Sequence, residues 1–201
     1  TLKQNYPDCN FIPVYWLASE DHDFEEISNI QIFGKKIEWK NNDAKGAVGR
    51  MKTDTLKSTI DELKGIIGES ENAKKIIALF ENAYLSSRNL SDAMRVLFDT
   101  LFKDFDLLIL DADDSRLKQE FISIMKDDIE HQTNYPLVKK SKEELEQMGY
   151  DVSVNPREIN VFELKENSRT RIEQSSPEAL NLKTDAYSPN VVLRPLYQER
   201  I

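Results

Sequence analysis

The sequence predicts an α/β protein in which a parallel sheet is interrupted by helix-rich insertions, and three observations carry that prediction. Three short runs, "FIPVYWLA" (11–18), "FDLLILDA" (105–112) and "NVVLRPL" (190–196), are largely apolar, the pattern of strands covered on both faces. They lie far apart in the chain, and parallel strands need crossover connections from which insertions can hang. Apolar stripes at helical spacing occupy the stretches between them.

Taken in order, the first run starts best at Pro13, since proline suits the beginning of a strand better than its middle. Next, "NIQIFGKKIEWK" predicts a hairpin. Ile30 and Ile32 alternate on one arm and Ile37 and Trp39 on the other, with Gly34-Lys35 at the turn. "NNDAKGAVGR" is loop-like. Three helices should follow. The first starts near Thr53 or Asp54 and aligns Leu56, Ile60, Leu63 and Ile67. The second is capped by Ser70 and carries Ile76, Ile77, Phe80 and Tyr84. The third is capped by Ser91 and carries Met94, Leu97, Phe98, Leu101 and Phe102. Helical spacing alone explains these stripes, so they read as core packing and not as a cofactor box.

After the second apolar run, Leu117, Phe121, Met125 and Ile129 mark another helix. Ser141-x-x-Glu144 reads as a capping box opening one more, which ends at Gly149. "YDVSVNPREINVFELK" predicts a pair of strands around Asn155-Pro156, and the Ser- and Asn-rich stretch 166–186 predicts a loop. No internal repeat is visible.

With 39% hydrophobic and 31% charged residues in 201, the chain can bury a real core as one large domain or one domain carrying insertions. The net charge of -9 argues against nucleic acid as the main partner, because phosphate binding needs clustered Lys and Arg. Lys139-Lys140-Ser141-Lys142 and Arg169-Thr170-Arg171 are short groupings that read as solvated faces. The single cysteine, Cys9, can form no internal disulfide and points to a reducing compartment. No run approaches the ~18 apolar residues of a membrane span, and no signal-like start is present. The expectation is a cytoplasmic protein with no membrane partner. Lacking an initiator Met and stopping just after an apolar run, the sequence reads as an internal piece of a longer protein.

In open parallel sheets, ligands bind beyond the carboxyl ends of the strands. The first run exits into Glu20, Asp21, His22 and Asp23. The second exits into Asp111, Asp113 and Asp114. The third opens on Asn190 and reaches Arg194, with Gln198 close behind. If the strands are parallel, these groups converge on one rim. His22 is one of only two histidines, and packing it among carboxylates raises repulsion that is tolerated at sites more often than in scaffolds. The structural alternative is an imidazole satisfied by its neighbours. Asp114 and Ser115 read as the cap of the next helix, where carboxylates favour the positive end of the dipole. His131 receives no role.

Other chemistries are weighed by their residues. "LLILDADDS" resembles the strand-end Asp-x-Asp of haloacid-dehalogenase-type phosphatases, which would give an Mg-dependent phosphohydrolase centred on Asp111 and Asp113. Ser115 stands where that family has Thr or Val, so the fit is loose. "EDHD" suits a divalent ion by ligand type, but without a second distant histidine no metal ligands are assigned. "KGAVGR" has the wrong spacing for a phosphate loop, and no Gly-x-Ser-x-Gly elbow exists. A non-enzymatic reading makes the chain a helical interaction module whose acidic turns are caps.

Three segments in order, "PVYWLASEDHDFEEI" (13–27), "LLILDADDSRLKQEF" (107–121) and "SPNVVLRPLYQE" (188–199), closely resemble the bacillithiol biosynthesis cysteine-adding enzymes. "QMGYDVSVNPREINVFELKEN" is also similar to that family's pattern, so the resemblance spans nearly the whole chain. It implies a cytoplasmic ligase joining cysteine to a glucosaminyl-malate acceptor. It further implies a Rossmann-like core related to class I cysteinyl-tRNA synthetases, with connecting-peptide insertions and a coiled-coil arm. On that reading 1–27, 104–125 and 187–201 are core segments, while 28–103 and 126–186 are insertions. The family's N-terminal Thr-Gly-Gln-Gln and Gly-Pro-Leu-Tyr region and its coiled coil are not in this sequence, and 165–187 looks shortened. A homodimer is expected only of the full-length protein.

Joining a carboxyl to an amine needs the carboxylate activated and the amine deprotonated. Residue chemistry then gives His22 the proton, with Glu20, Asp21 and Asp23 orienting it or holding the substrate ammonium. Arg194 would neutralise a phosphate or malyl carboxylate, while Asp111, Asp113 and Asn190 would contact substrate or nucleotide. The cofactor stays open, ATP with Mg²⁺ being the one such chemistry draws on. Cys9 is not expected to act, because the reacting thiol compound is the substrate.

Overall fold

The computed structural model describes residues 2–165, 168–176 and 181–201. The chain divides into two compact units, Thr1–Ala112 and Asp113–Ile201. No helix among the described residues is long and apolar enough to cross a membrane.

The first unit opens with the short helix α1 (Leu2–Asn5) and strand β1 (Val14–Leu17), followed by α2 (Phe24–Ile27). Strands β2 (Asn29–Ile32) and β3 (Lys35–Glu38) form the expected antiparallel hairpin, Ile30 opposite Ile37. Its turn is Phe33-Gly34, one residue earlier than the sequence reading. Both residues have positive φ, 50° and 76°, and glycine supplies the second at no steric cost.

Helices α3 (Lys57–Ile67), α4 (Glu71–Phe80) and α5 (Leu90–Phe102) follow. Ile37, Ile60, Leu63 and Ile77 form a core cluster, with Phe80 and Tyr84 packed against it. The predicted stripe of α3 therefore faces the core, as do Ile77, Phe80 and Tyr84, the last in the turn after α4, whereas Ile76 is exposed. Ser70 caps α4 as predicted, accepting from the Ala73 N–H at 3.2 Å. The cap of α5 is Asn89, which accepts from the Asp92 N–H at 2.8 Å, so Ser91 sits buried inside the helix instead of capping it. Asn and Ser are near-equal caps, so propensity does not separate them.

The unit closes with β4 (Leu108–Asp111), which pairs parallel with β1, Val14 opposite Leu108 and Leu17 opposite Asp111. Two of the three apolar runs thus make the predicted parallel pair. Both strands run toward the same rim, which carries the residues that follow Leu17 and Asp111.

The second unit begins with α6 (Ser115–His131) and α7 (Asn134–Gln147). Asp114 caps α6 as expected, accepting from the Arg116 N–H at 2.9 Å. Asp114→Ala is expected to cost about 1 kcal/mol, read as a lower thermal midpoint. Ser141 lies within α7 and opens nothing. The helix starts earlier because Pro136, at home only in a first helical turn, sets its beginning. The i,i+4 pairs Lys140–Glu144 and Lys142–Glu146 then carry it onward.

The predicted strand pair around Asn155-Pro156 is not formed. Residues 151–160 are irregular, and β5 (Val161–Lys165) is the central strand of an antiparallel sheet. It pairs with β6 (Ser168–Arg171) and β7 (Tyr187–Pro189), both on stretches read from sequence as loop or as the approach to a strand. The loop expectation for 166–186 thus fails at 168–171, while its residues 166, 167 and 177–180 lie outside the described residues. β6 hid itself because its alternating positions are Arg169 and Arg171. Their guanidiniums lie 4.2 and 4.6 Å from the Phe162 ring centroid, a cation–π contact replacing the usual apolar cross-strand pair.

The third apolar run, 190–196, is not a strand. It forms a turn and then α8 (Arg194–Arg200). Asn190 bends the chain by accepting from the Val192 and Leu193 N–H groups at 2.9 and 3.3 Å, an Asx-type turn. Pro195 suits a first helical turn and not the middle of a sheet. Leu193 and Tyr197, both fully buried, are at i,i+4 spacing, and Phe121 of α6 meets Tyr197 at 4.8 Å.

A buried polar network ties this unit together. The fully buried Asp128 of α6 accepts from the Asn160 N–H at 2.5 Å, from Asn160 Nδ2 at 3.2 Å and from Asn134 Nδ2 at 3.0 Å. Asn190 Nδ2 in turn donates to Asn160 Oδ1 at 2.8 Å. Burying a carboxylate is tolerated only when its oxygens are met in this way.

Candidate active site

β1 ends at Leu17, and the next residues turn sharply. The Ser19 N–H donates to Leu17 O at 2.8 Å and the Asp21 N–H to Ala18 O at 3.2 Å. This tight loop buries Ser19 and Glu20, each 3% exposed, and leaves the His22 and Asp21 side chains about half exposed. The loop is clamped from outside. Val48 N–H donates to Asp21 O at 2.6 Å and Gly49 N–H to Ser19 O at 2.7 Å. The loop-like "KGAVGR" segment is therefore a brace for the acidic cluster.

His22 is positioned by its neighbour. Its N–H donates to Asp21 Oδ1 at 2.7 Å, and the same oxygen lies 3.4 Å from His22 Nδ1. The Asp21 carboxylate thus holds both the backbone and the ring of His22 on one side. Asp23 is exposed and stands before α2 without capping it by its side chain.

Asp111, at the end of β4, faces the same rim. Ser19 Oγ donates to Asp111 Oδ1, and Arg95 of α5 places its guanidinium 3.6 Å from Asp111 Oδ2. The Arg95 side chain stays 46% exposed, whereas that of Asp111 is 12% exposed. Asp111 is thus a buried anchor that fixes a serine and holds an arginine facing solvent. Sequence reasoning found Asp111 but missed Ser19 and Arg95. Ser19 was legible as the hydroxyl between strand end and acidic cluster. Arg95 has no sequence signal, because only the packing of α5 on β4 brings it there.

Beside this rim a cavity of about 360 Å³ opens within the first unit, its walls including Leu17, Ser19, Ile37, Trp39, Tyr84 and Ser91. The lining is mostly apolar. Burial pushes the Tyr84 phenol above its ordinary pKa, and its hydroxyl is 3.3 Å from Met94 Sδ. A cavity of this size and character suits a small organic ligand.

The other predicted residues belong to the second unit. Asp113 pairs with Lys118, which is fully buried. Asn190 is 7% exposed, and its amide is engaged in the turn and with Asn160. Arg194 is the first residue of α8 and half-buried. Of the three expected strand ends, two are formed, at Ser19–Asp23 and at Asp111, while the third run supplies a helix start. Among the described residues no group of three or more His, Cys, Asp and Glu side chains is gathered to hold a metal ion.

The comparisons agree on one family. The description of the matching family model is "Bacillithiol biosynthesis BshC, N-terminal Rossmann-like domain", and the match covers residues 1–201. A Flavobacterium johnsoniae protein named "Putative cysteine ligase BshC" is 43% identical over 217 residues, covering 100% of this chain and 40% of the relative. Proteins of the same name from Cytophaga hutchinsonii and Salinibacter ruber are 36% and 30% identical, covering 100% and 94% of this chain. The chain spans about 40% of the length of these curated relatives. From its parallel strand pair with the acidic, histidine-bearing turn to its last helix, this chain belongs to the BshC family of bacillithiol biosynthesis, as its N-terminal Rossmann-like domain.

Proposed function

We propose that this chain is the catalytic-loop-bearing part of a ligase that joins the carboxyl group of cysteine to the amine of a glucosaminyl-malate acceptor, in bacillithiol formation. The observation that carries the reading is the shared rim of β1 and β4. An imidazole oriented by Asp21 and a guanidinium held by Asp111 stand there beside a small-molecule-sized cavity. The names of the relatives support the cysteine part, and the reaction needs the rest: a base for the amine and a cation for the activated carboxyl.

In this mechanism the acceptor, having lost one proton to solvent, attacks the activated carboxyl carbon of cysteine as a neutral amine, and the His22 imidazole accepts the second proton that its nitrogen gives up as the amide forms. The C–N bond forms as the bond to the activating group breaks. The activating group, supplied by phosphoryl or adenylyl transfer from a nucleotide, brings negative charge that suits the solvent-facing Arg95. Glu20, Asp21 and Asp23 make the rim acidic, which favours an incoming ammonium. Arg194 and Asp113 are retained as proposed substrate or nucleotide contacts of the second unit. Asn190, whose side-chain oxygen shapes the turn before α8, is proposed alongside them.

The test is amide formation by the intact protein from cysteine and glucosaminyl-malate, followed by mass spectrometry with and without Mg-ATP. Asp111→Asn separates this reading from the Asp-x-Asp phosphohydrolase. As an anchor for Arg95, Asp111 is expected to lower ligation about tenfold when made neutral, an effect near 1.4 kcal/mol on the barrier. A phosphohydrolase would instead release phosphate from an aryl phosphate and lose that activity entirely in the variant. The engagement of Asp111 by Ser19 and Arg95, and of Asp113 by Lys118, speaks for the ligase.

A further inference from the structure

We propose that a small cleft in the second unit, between Arg157-Glu158-Ile159 and Arg171-Ile172-Glu173, binds a free α-amino acid in its zwitterionic form. It uses none of the residues assigned to ligation above. The cleft holds about 150 Å³, the space of about five waters at ~30 Å³ each, enough for an amino-acid backbone with a short side chain.

Its lining is two arginines, two glutamates and two isoleucines. Oppositely charged side chains so close together ordinarily pair. None of the ion pairs among the described residues uses Arg157, Glu158, Arg171 or Glu173, so both signs of charge remain for a ligand. Arg171 is held in place. Its Nη1 donates to Ile159 O at 3.1 Å and its guanidinium rests on Phe162. That leaves its other N–H groups for a carboxylate, which a guanidinium grips in two-pronged fashion. Burial, and then the nearby Arg157, lower the Arg171 pKa, while Glu173 opposes them. Arg157 and Glu173 therefore both lie close to Arg171, so the cleft brings charges of both signs together.

This arrangement selects by charge. A plain anion gains the arginines but meets two carboxylates. A plain cation meets the reverse. Only a molecule with carboxylate and ammonium a few bonds apart complements both, and Ile159 with Ile172 gives its side chain an apolar wall. The cross-strand pairing of Phe162 with Arg171 presents the site from a strand, a rigid platform.

The experiment is calorimetric titration of the intact protein with L-alanine, which carries the zwitterion but no thiol. Saturable binding is expected, weakened at least tenfold by Arg157→Ala and by Glu173→Gln, and unchanged by His22→Ala. Arg157 is exposed, and its one hydrogen bond among the described residues, from Asn160 Nδ2 at 3.2 Å, is to its backbone carbonyl, so its alanine variant should fold normally; an unaltered thermal midpoint checks this. Absence of saturable binding overturns the proposal. So does binding that survives both cleft variants, or inorganic phosphate binding more tightly than L-alanine.

Discussion

His22→Ala in the intact protein should slow cysteine ligation by about 10²–10⁴-fold, the range typical for loss of a positioned acid–base group. Three features set that expectation. The imidazole is half exposed, so substrate can reach it. Its Nδ1 lies 3.4 Å from Asp21 Oδ1, which orients the ring. It also sits on a turn tied to the first unit by two backbone hydrogen bonds, from Val48 and Gly49, that hold it against the rim. The thermal midpoint should hardly move, since little packing is lost. Asp21→Asn should fall less, about tenfold, because the amide keeps a contact but weakens the orientation. Measuring kcat and KM separately is informative: loss of a proton acceptor lowers kcat, whereas loss of a binding group raises KM. A His22→Ala protein within threefold of the parent rate would move the base elsewhere.

The second large effect is on stability. Gly49→Ala should destabilise the first unit by about 2–3 kcal/mol, the cost of forcing a methyl group into close-packed structure. Its added Cβ would lie 2.4 Å from Ser19 Cβ, 2.8 Å from Ser19 O and 2.8 Å from Ser91 Oγ. One of those atoms is backbone, so the strand-end loop itself must yield. The φ of Gly49 is ordinary, and space alone requires glycine there. Displacing Ser19 also disturbs its bond to Asp111, so ligation should fall together with stability. Gly65→Ala is the control. It lies within α3 with nothing near its would-be Cβ, and alanine there should stabilise by about 0.5–1 kcal/mol. Denaturant midpoints of the two variants should move in opposite directions.

These two glycines show why part of the site could not be read in advance. In the sequence both are single glycines beside apolar residues. Only the packing of the 47–49 turn on Ser19 distinguishes them. Arg95 teaches the same point, since its neighbour Asp111 is distant in sequence and the pair exists only because α5 lies along β4. Ser91 was a plausible cap until Asn89 took that place, because two near-equal caps two residues apart are separated only by where the helix is drawn into the core.

What the sequence determined by itself is local and periodic. Apolar residues at period two made the hairpin. Stripes at helical spacing made α3, α4, α5 and α6. Continuous apolar runs ending in carboxylates made β1, β4 and the acidic, histidine-bearing rim, because these patterns follow from covalent geometry and from the exclusion of apolar surface from water. Tertiary structure decided what depended on partners distant in the chain. The run at 190–196 had the composition of a strand, yet an Asx turn at Asn190 and the burial of Leu193 and Tyr197 against α6 made it a helix. β6 had the composition of a loop, yet Phe162 supplied the aromatic face that lets arginines line a strand. A short segment's own preferences amount to about 1 kcal/mol or less per residue, and contacts formed elsewhere in the fold readily exceed that.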